Sequence, residues 1–321
     1  MRALLTFGVF GAILLTACGT LRGPSGGGDN LPVSGGGPFK LIESGEGLGF
    51  DPPRLLVDLT GDFDHPVVLR HGAELAMWVT FDKDGTRQIM HTDSEQLEKG
   101  FESPALALAA DQAWEGGSVF APSVLEGAPW LMFYATGAGV IGLATSSDGH
   151  LWQKRAQPIF AEDDKIVTLP SAVRIGEQLR LYFSREGAIW AVEAPFASFT
   201  SGVSGTPSWQ PVDGDLGTLE RDPMLSALPF CTSMGRAHAR VEATPAGRLR
   251  HDLFVGGVNL VQKATSGFAA TFVGTSFEPF LLPIAPDGVT SPMAIADGRR
   301  ALLFAVQSYL NHRVIVVGQS P

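Results

Sequence analysis

Four prolines in this chain are each followed, twelve residues later, by an aromatic residue: Pro66 by Trp78, Pro122 by Tyr134, Pro170 by Tyr182 and Pro292 by Phe304. A spacing kept this constant means that one short supersecondary unit is repeated, and repetition constrains the fold more than any local propensity does. The stretches Ser118–Leu125, Trp130–Tyr134 and Gly139–Trp152 show the unit in full: short apolar strands parted by turn residues, an antiparallel meander. A further strand closes each unit, at Arg87–His91, Val140–Thr145, Ala188–Val192, Phe268–Val273 and His312–Val317. Such a sheet is apolar on both faces and cannot stand alone, whereas radially stacked blades cover one another. The expectation is an all-β, five-bladed β-propeller between about residues 51 and 318; a β-sandwich, which also has regularly spaced strands, is the alternative.

A fifth proline, Pro223, is expected to open the fourth blade. Its partner strand, His251–Val255, lies beyond a connection, Ser226–Arg250, that is long for a compact domain. That connection reads equally as one wall of a pocket or as an edge hairpin. It carries Met234-Gly-Arg-Ala-His-Ala-Arg240.

Before the repeats, residues 1–17 hold Arg2 and an apolar run too short to span a bilayer comfortably, which reads as a signal peptide. The run ends in Leu15-Thr-Ala-Cys18, which resembles the lipobox of bacterial lipoproteins; the resemblance implies lipidation of Cys18 and a bacterial cell-envelope location, with Gly19 favouring the outer membrane. Residues 18–39 are rich in Gly, Ser and Pro and read as a flexible tether, leaving 40–321 for the propeller.

Beside Cys18 the chain has one other cysteine, Cys231, so no intramolecular disulfide is expected, and Cys231 reads as a small buried apolar residue. No cluster of Cys and His has the spacing of a metal site, and no cofactor motif is present, so neither metal nor cofactor is expected. Loss of Arg2 with the signal would take the net charge from -10 to about -11. Without a basic tract, nucleic acid is not an expected partner.

Ligands of propellers commonly sit at the central mouth, so the residues just before the repeated prolines matter most. They are Asp64-His65, Phe120-Ala121, Thr168-Leu169, Glu220-Arg221-Asp222 and Thr290-Ser291. Carboxylates on two blades could serve as acid and base across a glycosidic bond; taken singly, Asp64 and Asp222 read somewhat more as caps of turns beside proline. Trp78, Trp130, Trp190 and Tyr182 read as core residues more than as platforms for sugar rings. Ser146–Trp152 reads as a structural outer hairpin.

Together, Phe120-Ala-Pro-Ser-Val124, Trp130-Leu-Met-Phe-Tyr134, Ala144–Trp152 and Arg221-Asp-Pro223 resemble the arabinanase, levansucrase and invertase superfamily, above all glycoside hydrolase family 43. The resemblance implies a carbohydrate as partner and a two-carboxylate hydrolase. Carried onto this sequence, it makes Asp64 the base, Glu220 the acid and Asp222 the residue that tunes or orients. His65 and Arg221 would contact sugar, and His238 would join them from the blade-four connection. The match is offset at His65, which takes the place beside proline, and at Thr168-Leu169, where the middle blade has no acid. A binding propeller that has lost the acid and a structural envelope lipoprotein are the rival readings.

Overall fold

The computed structural model describes residues 40–41, 62–95, 101–200, 205–214, 222–226, 231–243, 249–259, 264–273, 276–279, 289–297, 300–309 and 312–319. The signal and Cys18, the tether, and the site candidates Glu220 and Arg221 lie outside them.

The strands form five four-stranded antiparallel sheets. Blade one is β2 (Asp62–His71), β3 (Glu74–Lys83), β4 (Thr86–Ser94) and β5 (Ala105–Leu108). Blade two is β6 (Val119–Leu125), β7 (Trp130–Thr136), β8 (Ile141–Ser146) and β9 (Gln153–Lys154). Blade three is β10 (Thr168–Ile175), β11 (Gln178–Arg185), β12 (Ala188–Pro195) and β13 (Gln210–Val212). Blade four is β14 (Cys231–Ala243), β15 (Leu249–Asn259), β16 (Ala264–Val273) and β17 (Ser276–Pro279). Blade five is β18 (Val289–Asp297), β19 (Arg300–Tyr309) and β20 (His312–Gln319), with the early strand β1 (Lys40–Leu41) pairing with β20 as its fourth member. One blade thus joins the two ends of the propeller.

Ring closure is direct. The first strands meet in the order β2, β6, β10, β14, β18 and back to β2. Each sheet is covered on both faces, which explains why Trp130-Leu-Met-Phe-Tyr134 is apolar throughout. Trp130, Met132 and Tyr134 pack toward blade one, and Leu131 and Phe133 toward blade three. The period of two is present but hidden, because both faces are buried.

The repeated prolines mark a backbone device. In blades one, two, three and five the residue before proline has a left-handed φ: 51° at His65, 50° at Ala121, 54° at Leu169 and 49° at Ser291. At the same places the register with the second strand shifts, so each is a β-bulge. Beyond the bulge the residue after proline opposes the repeated aromatic, as in Val67 with Trp78, Ser171 with Tyr182 and Met293 with Phe304. In blade two the register moves by one, and Ser123 opposes Phe133.

The residue after proline also stitches neighbouring blades. Ser123 Oγ accepts from the Ala172 amide at 2.9 Å, Ser171 Oγ from Ala239 at 2.8 Å, and Met293 Sδ from Val68 at 3.0 Å. These bonds satisfy amides on the open edge of the first strands, which have no ladder partner on that side.

Blade four departs from expectation. Pro223 is not on its first strand. Leu225 forms a bridge with Ile189 of blade three, and Asp222–Ser226 runs past that blade before β14 begins. The stretch read as an insertion, around Met234–Arg240, is itself the first strand, and its register shifts between Met234 and Ala237. Gly235-Arg236 stands where the other blades have a residue and proline. The repeat continues without its marker. The side chain of Cys231 lies outside the described residues.

Candidate active site

Every blade starts its first strand at the same end of the ring, the mouth, where the five bulges gather. Asp64 is buried at 7% exposure. Arg313 Nη1 donates to its Oδ2 at 2.5 Å, Ser291 Oγ donates to its Oδ1 at 2.9 Å, and the His65 amide donates to Oδ1 at 2.8 Å. Burial alone would push this carboxyl up, but His65, Arg313 and the hydrogen bonds hold it below its usual value. It is an ionised, clamped carboxylate, stronger as an anchor than as a proton acceptor.

His65 lies beside it, Nδ1 to Oδ1 3.6 Å, with its ring 6.2 Å from Phe120. Burial, aided by Arg236, Arg313 and Arg87 against the pull of Asp64, lowers its pKa to about 4. The imidazole is therefore neutral at pH 7, and Arg313, Ser291 and the His65 amide do most to hold Asp64 ionised there.

Arg236 settles what fills the axis. It is 3% exposed, and its Nη1 donates to the Pro66 carbonyl at 3.2 Å while Nη2 donates to that of Pro122. Blade four adjoins blades three and five, so an arginine on β14 that reaches blades one and two must cross the axis. Burial lowers its pKa to about 10, opposed by Asp64, and it remains a cation at neutral pH. Above it the charges balance. Arg313 also meets Asp62 at 3.4 Å and Asp82 at 3.7 Å, and Arg87, paired across the ladder with Asp82, lies over the Phe120 ring at 3.4 Å. Three arginines thus face three aspartates.

Of the other expected site residues, Asp222 is buried on the mouth side of blade three, where its amide donates to Asp213 Oδ1 at 3.1 Å and its carbonyl accepts from Gly214. It does not stand on the first strand of blade four, as the proline spacing had suggested. His238 is on β14, two residues beyond Arg236 and 6.5 Å ring to ring from Phe254; burial, with Arg236 and Arg240, lowers its pKa to about 3. Asp64, His65 and Arg236 come together; His238 flanks Arg236. Thr168, at the bulge of blade three, has a buried Oγ1 without a hydrogen-bond partner, as have His65 Nδ1 and Arg236 Nε.

Trp78 and Tyr182 are fully buried and Trp130 nearly so, all within the core, while Trp190 is half-buried with Arg185 3.5 Å over its ring. The Ser146–Trp152 turn is structural, with Asp148 Oδ1 accepting from Ser146 Oγ and from the amides of His150 and Leu151. Arg236 and Arg313 escaped the sequence reading. The signal for Arg236 was a stretch of small and apolar residues, Met234–Ala239, interrupted by a single arginine.

The two neutral histidines give a pH dependence. In the unfolded chain they take up protons near pH 6.5, whereas in the folded chain they do so only near pH 4 and pH 3. Between those values the unfolded state binds more protons, so stability is full above about pH 6.5 and is lost as pH falls. The expected loss is about 3 kcal/mol from His65 alone by pH 4. Urea unfolding at pH 7.5 and pH 4.5 measures it, and His238→Gln should make the decline shallower; an unchanged slope would count against a buried neutral His238.

No known protein-family profile matches the sequence, and no curated protein does. Solved structures do match. A glycosyl hydrolase from Bacteroides ovatus superposes with a TM-score of 0.62 at 14% identity, over 91% of this chain and 96% of that one. The endo-arabinase from Bacteroides thetaiotaomicron gives 0.56 at 14% identity, over 79% and 93%. The α-L-arabinofuranosidase from Podospora anserina, in complex with cellotriose, gives 0.57 at 11% identity, over 88% and 94%. This chain has the five-bladed β-propeller fold of these glycoside hydrolases.

Proposed function

We propose that the mouth of this propeller binds a neutral carbohydrate. The observation that carries the reading is the polar arrangement at the bulges. Beside the clamped Asp64, His65 Nδ1 and Arg236 Nε are buried without a hydrogen-bond partner, and so is Thr168 Oγ1 at the bulge of blade three. Buried polar groups are rarely left so, and hydroxyls of a ligand would satisfy them. Paired Arg and Asp groups of balanced charge suit a ligand that both donates and accepts without net charge. The fold supports the reading, since its solved neighbours act on glycosides, one of them in complex with cellotriose. Because Arg236 closes the axis, the sugar is received above it, at the mouth.

Hydrolysis is a second reading. The two-carboxylate scheme needs a partner for Asp64, and among the described residues of the five bulges there is no other carboxylate. Asp222, on the mouth side of blade three, favours an acid arriving from that connection, where Glu220 is two residues away. A leader cleaved before Cys18, with residues 18–39 as tether, would place the mouth outside the cytoplasm as part of a lipid-anchored protein of the bacterial cell envelope, where polysaccharide is met.

A glycan array probed with the full chain tests binding, and reducing-sugar release from arabinans, xylans and fructans tests hydrolysis. Retention is expected. Release that disappears in both Asp64→Asn and Glu220→Gln would establish the hydrolytic reading, and absence of both retention and release would reject a carbohydrate function.

A further inference from the structure

At the opposite end of the strands from the mouth, blades one and two enclose a cavity of about 230 Å³, lined by Trp78 and Trp130 together with His91, Asp93 and His150. We propose that His91, Asp93 and His150 hold a divalent transition-metal ion of the zinc class. His91 and Asp93 are two apart on β4, so both project from one face of the strand. His150 comes from the turn after β8. Asp148 fixes that turn, and Trp78 Nε1 ties it to blade one by donating to the Gly149 carbonyl at 3.1 Å.

The three donor atoms lie within 4.8 Å of one another. Around one ion, at bond lengths of about 2.0–2.2 Å, tetrahedral donors stand roughly 3.3–3.5 Å apart. His91 Nε2 and Asp93 Oδ1 are already 3.3 Å apart, and rotation of the exposed His150 ring brings in the third. The second observation is the state of His91. Its side chain is 8% exposed, yet Nε2 makes no hydrogen bond, even to the carboxylate beside it. Two donor atoms that stand close without bonding each other are what a shared cation requires.

Imidazole and carboxylate donors suit first-row divalent ions, and three protein ligands leave a coordination position open for water. Glu74, Glu95, Glu102 and Asp148 also line the cavity and add negative charge that favours a cation there. The ion would staple two blades far from the mouth, so this site does not depend on the carbohydrate reading.

The test is calorimetric titration of Zn²⁺ into the untagged full chain after chelator treatment, with Co²⁺ absorption as a second readout. One ion per chain is expected, with affinity reduced at least about tenfold in both His150→Ala and Asp93→Asn. His150 is exposed, so its removal should leave the unfolding midpoint of the metal-free chain unchanged. Absence of binding, or binding that both variants retain unaltered, would overturn the proposal.

Discussion

Replacing Arg236 with methionine is expected to lower stability by about 3 kcal/mol, one of the two largest effects of any substitution considered for this chain. Methionine fills much of the same space but donates nothing. The carbonyls of Pro66 and Pro122, buried where the bulges have broken their ladders, would lose a charged donor, and each such bond is worth roughly 1.5–3 kcal/mol. Because the guanidinium crosses from blade four to blades one and two, the loss is not confined to one seam. Chemical denaturation of wild type and variant measures it, and a loss below about 1 kcal/mol would show that the axial arginine does not tie the ring together.

A loss of about 3–5 kcal/mol is expected from Lys154→Met. Glu115, at the end of the short helical turn Ala113–Glu115 that leads into blade two, is 0% exposed and faces Lys154 inside the protein. Its oxygens accept from Lys154 Nζ, from the amides of Asp111 and Gln112, and from the Tyr134 hydroxyl at 3.0 Å. Burial and the adjoining Glu115 push the Tyr134 phenol far up, so it stays protonated and keeps donating. Without the ammonium, the carboxylate is left buried without its cation. The double variant Glu115→Gln with Lys154→Met removes both charges and should recover much of the loss, since it strands neither. Equal losses in the single and double variants would mean that packing, not charge, is responsible.

Much of the architecture was legible because proline marks the bulge in four blades, and the hairpin that follows keeps a nearly constant length. Blade four was misread for the same reason. Gly235-Arg236 replaces the marker, and Pro223, on a connection held to blade three, imitates it. The mouth was legible in Asp64 and His65, which flank a repeated proline. Its other half was not, because Arg236 and Arg313 reach Asp64 and the proline carbonyls only through the closed ring, from far along the chain. His91-Thr-Asp93 has the alternation of two ligands on one strand face, but His150 joins them across a blade seam, which spacing along the chain does not reveal. Glu115 sits in a connection, where an acid is ordinarily solvated; only the packing of Tyr134 and Lys154 around it shows otherwise.

The central claim, that carbohydrate binds at the mouth, is tested most directly by titrating the best-retained oligosaccharide into the wild-type chain, Arg87→Ala and His150→Ala. Arg87 is half-buried at the mouth, stacked on Phe120, whereas His150 is exposed at the far end. Loss of a residue that contacts the sugar through charge-assisted hydrogen bonds should weaken binding at least about tenfold, while the far-end variant binds as wild type. Binding that Arg87→Ala leaves intact, or that His150→Ala abolishes, would contradict the account.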